Sequence, residues 1–148
     1  VGERGPPMSD TNHPLREVLA AVFTVINVAS VTDVAVGGLH NDYPEAPTYP
    51  WVRLSGRATP IGPIATDDIW ECAVELTVID QYRGDSRALG LVETIVGLLT
   101  PHVLSVSGWT DVFTALDDAS GIYPIAAEDL NGVPTREWVM PYRVLVTA

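Results

Sequence analysis

A lone cysteine is the first candidate for chemistry. Cys72 is the only cysteine among 148 residues, so neither an intramolecular disulfide nor a cysteine-rich metal site can form. It alternates with Trp70 and Val74, which predicts a place on the apolar face of a strand. A nucleophilic thiol needs an exposed, electropositive setting, whereas Cys72 lies between Glu71 and Glu75 in sequence. We therefore interpret Cys72 as a buried structural residue.

A proline-rich loop holds a second candidate group, formed by His40, Asp42 and Glu45. Their nitrogen and oxygen atoms are metal ligands in other proteins. Zinc sites, however, need three or four convergent ligands with supporting hydrogen bonds, and the sequence offers no partner set elsewhere. The pattern is that of an ordinary polar loop, and we expect no metal site.

Acidic pairs recur at 67–68, 117–118 and 128–129. Adjacent residues of a strand point to opposite faces, so such pairs rarely form a catalytic carboxylate dyad. None has the spacing of a calcium-binding EF-hand loop. We interpret all three as solvated loop charge.

Enzyme signatures are missing as well. The sequence contains no G-x-S-x-G, H-E-x-x-H or G-x-G-x-x-G motif. The remaining histidines, His13 and His102, flank two predicted helices and are interpreted as cap or surface residues. Without a convergent titratable set, we expect no catalytic residues.

The charge balance excludes further classes. The chain has nineteen acidic and eight basic residues, the basic ones all Arg, and its net charge is −11. Phosphate binding depends on neutralising Lys and Arg contacts, so nucleic-acid binding is not expected. The lack of Lys excludes Schiff-base chemistry and a P-loop lysine. Apolar stretches are shorter than the roughly 20 residues that cross a bilayer, so we expect no membrane partner.

Length and composition predict one domain, since domains most often run about 100–150 residues and 47% of the chain is hydrophobic. Met8 resembles a natural start, so residues 1–7 are expected to be an expression remnant or a flexible arm. Residues 8–148 are expected to form the domain.

Helix-forming patterns occur twice. Apolar residues at i, i+3 and i+4 spacing predict one helix from Pro14 to about Val28. The same spacing predicts another from Asp85 or Ser86 to the residue before Pro101.

Alternating segments predict the strands. Trp51–Arg57 and Ile69–Tyr82 alternate cleanly and should pair as a hairpin whose tip is 58–68. We also predict strands at Trp109–Leu116 and Glu137–Thr147, and a short β-prone piece at 34–36. The expected fold class is α+β: a mainly antiparallel sheet with two helices packed on one face.

Two further features bear on assembly. Pro141 cannot donate to a ladder, which predicts an edge or a bulge, and an edge can accept a strand from another subunit. The four Trp residues lie near predicted strand starts, where they either pack the core or anchor a subunit interface. The candidate assembly residues are Tyr43, Tyr49, Trp51, Arg57, Ile61, Ile64, Trp138 and Pro141.

Four segments carry a resemblance to a known family. They are HPLREVLAAVFTVI, YPEAPTYPWVRLSG, WECAVELTVIDQYRGDSRALGLVETIVGLL and REWVMPYRVLVTA, which together span nearly all of 13–148. In these patterns the chain resembles the tail-terminator (tail-completion) proteins of long-tailed bacteriophages. The resemblance implies a homo-oligomeric ring, typically hexameric, that caps the tail tube, ends its polymerisation and joins it to the head. It also implies no enzymatic activity and no cofactor.

Partners and location are also implied by the resemblance. They are other copies of the chain, the tail-tube protein and head–tail connector proteins, in a virion assembled in the host cytoplasm. Genomic DNA would pass the lumen without specific binding, and an acidic ring suits this because like charges repel. A lumen lined mainly by Arg53 and Arg57 would contradict that hypothesis. The 58–68 hairpin tip is the preferred contact, and deleting 61–65 is expected to impair assembly while the monomer stays folded.

Other functions stay open. Within the virion, the chain could be a stopper, a head-completion protein or a tail-tube subunit. In another class, it could be a small-ligand-binding or enzymatic α+β domain that uses a pocket between sheet and helices.

Overall fold

A computed structural model describes residues 13–61, 69–81, 83, 85–100, 103–117 and 121–148. These residues form, in chain order, α1 (Leu15–Ile26), α2 (Ala29–Thr32), β1 (Leu39–His40), β2 (Trp51–Pro60), β3 (Ile69–Gln81), α3 (Asp85–Leu99), β4 (Thr110–Leu116), β5 (Tyr123–Glu128) and β6 (Pro134–Thr147). Within this part of the chain, every helix is too short or too polar to cross a lipid bilayer.

One sheet contains all the strands, in the order β1, β2, β3, β6, β4, with β5 also paired to β6. Only β1 and β2 are parallel; the other pairs are antiparallel. The predicted α+β class with a mainly antiparallel sheet is confirmed.

The long hairpin of β2 and β3 follows the predicted alternation. The two strands pair in register from Trp51 opposite Ile79 to Pro60 opposite Trp70. Beyond the last pair, the Ile61 N–H donates to the Ile69 carbonyl over 2.9 Å. β2 is thus three residues longer than predicted, and 62–68 of the predicted tip lie outside the described residues.

The helices α1 and α3 pack on one face of the sheet, as predicted. From β3, the even-numbered residues point toward them, because side chains alternate along a strand. Gly56 of β2 permits the close approach of α1, since a Cβ there would lie 2.8 Å from the Ala73 carbonyl oxygen and 3.4 Å from Leu19. The buried core includes Val18, Val22, Ile26, Leu54, Cys72, Val74, Leu76, Leu91, Ile95 and Met140.

Strand β6 is central, so the prediction that Pro141 lies on an edge is wrong. β3 pairs with β6 on one side, and β4 and β5 pair with it on the other. The bulge alternative also fails, because the register shift lies in β4. On that side, pairing stops at Tyr142 and resumes at Val139, and the Pro141 carbonyl accepts the Asp117 N–H at 2.8 Å. The missing N–H of Pro141 therefore faces the gap between β4 and β5, where no ladder bond is lost.

Short elements depart from the prediction. The β-prone residues 34–36 form turns after α2, and the strand is β1, where only two residues pair. β5 was not predicted, because YPIAAE has a proline and no clean alternation. β6 begins at Pro134 rather than Glu137, directly after the Asn131-Gly132 turn. In that turn, Gly132 has a φ of 80°, a conformation that favours glycine.

Candidate assembly surfaces

The face of the sheet opposite α1 and α3, here called the outer face, is covered at one end by the loop 41–50. Trp51 lies beneath this loop and is only 1% exposed. Its ring meets the edges of Tyr43 and His40, with centroids 5.4 and 5.6 Å away. Thr77 and Ile79 of β3 are buried on the same face. The outer face is therefore solvent-exposed over only part of the sheet.

Two tyrosine hydroxyls bind the loop to β6 and to the β5–β6 turn. Tyr43 donates to Oε2 of Glu137 over 2.6 Å, and Tyr49 donates to Oδ2 of Asp129 over 2.5 Å. Burial and the hydrogen bond to Glu137 raise the pKa of Tyr43 to about 12. Burial and the bond to Asp129 also raise the pKa of Tyr49. The Tyr49 hydroxyl and the Val133 N–H in turn lower the pKa of Asp129.

The uncovered part of the outer face forms a polar groove of about 360 Å³, here called the outer groove. Arg57, Pro141 and Tyr123 lie along it. Arg143 forms an ion pair with Glu71, and its guanidinium lies 5.9 Å from the Phe113 ring centroid.

A second depression of about 580 Å³ lies between α1 and the β1–β2 edge of the sheet. We call it the helix groove. Its apolar lining includes Leu15, Leu19, Ala20, Phe23, Leu39 and Leu54. A pocket between sheet and helices was named from the sequence as an alternative, but none of these residues was identified as its lining. The available signal was Phe23, which extends the apolar stripe of α1 beyond what the core uses.

The opposite side of the sheet, formed by β4 and β5, is here called the far edge. It carries several exposed apolar side chains, and Leu130 in the β5–β6 turn is 68% exposed. The other members are Val112, Phe113, Ile122 and Ile125. These side chains are spread along the edge, from β4 opposite the end of β6 to the turn before its start. They were not predicted as a surface, since β5 itself was not predicted.

The predicted assembly residues fall in several places. Tyr43 packs against Trp51, and Tyr49 of the same loop binds Asp129, whereas Arg57 and Pro141 line the outer groove. The remaining three are scattered: Trp138 is half-buried and donates to Oδ1 of Asp85 over 3.3 Å, Ile61 is 38% exposed at the end of β2, and Ile64 lies outside the described residues. The structure therefore brings the candidates together as two groups rather than one.

The residues first considered for chemistry have structural surroundings. Cys72 is fully buried, and burial raises the pKa of its thiol to about 11. Nε2 of His40 lies 2.7 Å from the Gly37 carbonyl oxygen, and Asp42 accepts the Tyr43 N–H. Within the described ranges, no three His, Cys, Asp or Glu side chains group as a metal would require. His13 accepts a 3.4 Å bond from the Leu15 N–H at the start of α1, and His102 lies outside the described residues.

Comparison with known proteins gives a likeness of fold. No family model matches the chain, and no curated protein matches its sequence. A chain in the solved structure of the virion of a native gene transfer agent (GTA) particle has a similar fold, with a TM-score of 0.72. The match covers 93% of this chain and 100% of that chain, at 14% identity. At this identity, the finding concerns the fold alone.

Proposed function

We propose that this chain is a structural protein of a phage-like virion, without enzymatic activity. The observation that carries the proposal is the fold match to a GTA virion chain, which includes the whole of that chain. The likeness therefore extends over a complete domain rather than a common supersecondary motif. Fold does not by itself determine function, so the surfaces must also fit the role.

The surfaces are consistent with assembly. Apolar side chains lie exposed on the far edge and line the helix groove at the opposite edge. Exposed apolar patches of this kind commonly mark protein–protein contacts. By contrast, hydrogen bonds within the chain occupy the loop tyrosines and Asp80, and Cys72 packs in the core.

Within the virion, we propose the tail-terminator role. The protein would form a ring, hexameric by the resemblance, that caps the tail tube, ends its growth and presents a surface to the head. Its sequence resemblance over 13–148 favours this role over a stopper or a tube subunit. A net charge of −11 suits a lumen through which DNA passes without binding, because phosphates and carboxylates repel.

The decisive experiment mixes the purified protein with polymerising tail-tube protein and follows both by negative-stain microscopy. We expect rings at tube ends and tubes whose growth stops as the protein is added. Binding to head connectors but not to tubes would instead indicate a stopper. Incorporation along the tube wall would indicate a tube subunit.

The ligand-binding alternative has one observation in its favour. The helix groove, at about 580 Å³, lies within the roughly 300–1,000 Å³ range of small-molecule sites. Light scattering over a range of concentrations separates the two classes. A monomer at every concentration that also binds a small molecule would favour the ligand-binding class over the virion role.

A further inference from the structure

The two edges of the sheet differ in what they offer a partner. Next to the helix groove, the described residues pair with β2 on its open side only at Val52 and Arg53, through the two residues of β1. The Val52 N–H donates to the Gly38 carbonyl over 3.0 Å. Because alternate residues point the same way, the N–H and C=O groups of Leu54, Gly56 and Ala58 face outward along the groove. This edge therefore presents outward-facing backbone groups beside an apolar groove.

The far edge resists strand addition. Pro124 of β5 pairs with Trp138 and cannot donate to a further strand, and the register shift in β4 interrupts that strand between Asp111 and Phe113. Prolines and bulges are known devices against edge-to-edge pairing. What this edge presents is a set of apolar side chains, of which Leu130 protrudes most and Ile125 is 43% exposed. It is suited to insert side chains into a groove.

The two edges also differ in the charges that they carry. In a chain of net charge −11, whole copies repel one another. The helix groove is nevertheless lined by Arg16, whose side chain is 91% exposed and has Glu17 as its neighbour at 4.0 Å. The far edge carries the exposed Glu128. Pairing unlike edges places opposite charges together, whereas pairing two far edges adds carboxylates to carboxylates.

We infer that neighbouring copies bind head to tail, with the far edge of one copy packed into the helix groove of the next. The inference rests on the proposed ring and assigns its subunit interface. Such a heterologous contact uses each edge once per copy and closes into a ring when the rotation between copies divides the circle. Because the far edge does not add a strand, the contact is made by side chains and does not extend the sheet from copy to copy.

Two substitutions test the interface from opposite sides. Ala20→Glu puts a charged side chain into the helix groove at an exposed helical position, one turn from Arg16, so α1 is retained. Leu130→Asp removes the most exposed far-edge side chain from a turn. Leu89→Glu, on the exposed side of α3, is the matched control. Circular dichroism verifies folding, and Arg16→Glu is a second groove variant that cannot disturb the core.

Native mass spectrometry and negative-stain microscopy give the readout. We expect rings from the wild type and from Leu89→Glu, and loss of rings from each of the two edge variants. A 1:1 mixture of Ala20→Glu with Leu130→Asp has one intact junction, so it should yield dimers and nothing larger. Dimers in the mixture but not in either variant alone are specific to a head-to-tail contact.

Results that would overturn the interface alone differ from the result that would also overturn the proposed function. Wild-type rings that persist in both edge variants overturn this assignment and leave the proposed ring intact. A mixture that stays monomeric also overturns it, because an interface between like edges cannot be rescued in that way. A wild type that forms no ring, alone or on tail tubes, overturns the proposed function and this inference together.

Discussion

The hydroxyl of Tyr43 donates a 2.6 Å hydrogen bond to Glu137, a residue 94 positions away. It joins the loop 41–50 to the central strand β6. Glu137 is 5% exposed, so its carboxylate depends on donors within the protein. The Arg53 guanidinium lies 5.0 Å from the Tyr43 ring centroid and 3.6 Å from Glu75. The loop is therefore part of the folded body, and the outer face is shaped by it.

Removal of the Tyr43 hydroxyl is the first prediction. Tyr43→Phe keeps the ring against Trp51 but leaves the Glu137 carboxylate without this donor. A buried acceptor that loses its partner costs about 1–3 kcal/mol of stability. Urea unfolding measures the free energy of unfolding. Tyr123→Phe, at a half-buried site on the outer groove, is the control and should change it by under about 0.5 kcal/mol. Equal effects of the two substitutions would contradict the role of this bond.

Alkaline pH gives the second prediction. The pKa of Tyr43 is about 12 in the folded chain, against about 10 in an unfolded one, so above pH 10 the folded state holds more protons. Stability from this group is full below pH 10 and is lost as pH rises toward 12. The pKa of Tyr49 is raised as well, and its contribution has the same sign.

Thermal melts from pH 8 to 12 measure this loss, and tyrosinate absorbance follows the ionisation itself. The double variant Tyr43→Phe/Tyr49→Phe should show a shallower fall in melting temperature above pH 10. Cys72, with a pKa raised to about 11, adds a fall of the same sign that begins at lower pH. Cys72→Ala in both backgrounds therefore isolates the tyrosines. An unchanged slope in the double variant would show that the two hydroxyls do not stabilise the fold.

Local patterns were sufficient for the main elements. The alternation of β2 and β3 and the apolar spacing of α1 and α3 predicted those elements, their pairing and the face that they share. Period-2 and period-3.6 patterns report burial on one face directly.

Features that depend on distant partners could not be predicted. Pro141 was predicted to lie at an edge or a bulge because a proline lacks the N–H donor. The gap between β4 and β5 that accommodates it depends on residues elsewhere in the chain. β1 is a strand only because β2 pairs with two of its residues. The loop 41–50 is held over Trp51 by Glu137 and Asp129, which lie 80 or more positions from the tyrosines that bind them. The helix groove depends in the same way on β1.

The Asp80–Arg87 pair supports a third prediction. Asp80 is 1% exposed, and its carboxylate accepts bonds from Arg87 Nε at 2.9 Å and Nη2 at 2.7 Å. This arrangement ties β3 to the first turn of α3. Arg87→Met would leave the buried carboxylate without its ion-pair partner, although the Gln81 N–H would still donate to Oδ1. We expect a loss of about 2–4 kcal/mol, less than for a fully buried pair because the Arg87 side chain is half exposed.

A double-mutant cycle checks the origin of that loss. Asp80→Asn removes the charge that Arg87 compensates, so the double variant Asp80→Asn/Arg87→Met should be more stable than Arg87→Met alone. The expected coupling is about 1–3 kcal/mol, from urea unfolding of all four proteins. Additive effects would mean that Arg87 contributes through packing alone.

Gly37 supports the last prediction, since a Cβ at this position would lie 1.7 Å from the Thr48 carbonyl oxygen. That atom belongs to the backbone of the loop 41–50, so Gly37→Ala must displace the loop rather than a flexible side chain. We expect a cost of about 3 kcal/mol or more and partial exposure of Trp51, seen as a red shift of tryptophan emission. The matched control is Gly97→Ala, at an exposed site in α3 where a Cβ meets nothing within 4 Å. This control should stabilise the protein by about 1 kcal/mol, because alanine is the better helix former. A Gly37→Ala protein with unchanged stability and emission would mean that the loop 41–50 does not lie against Gly37 and does not bury Trp51 in the way described.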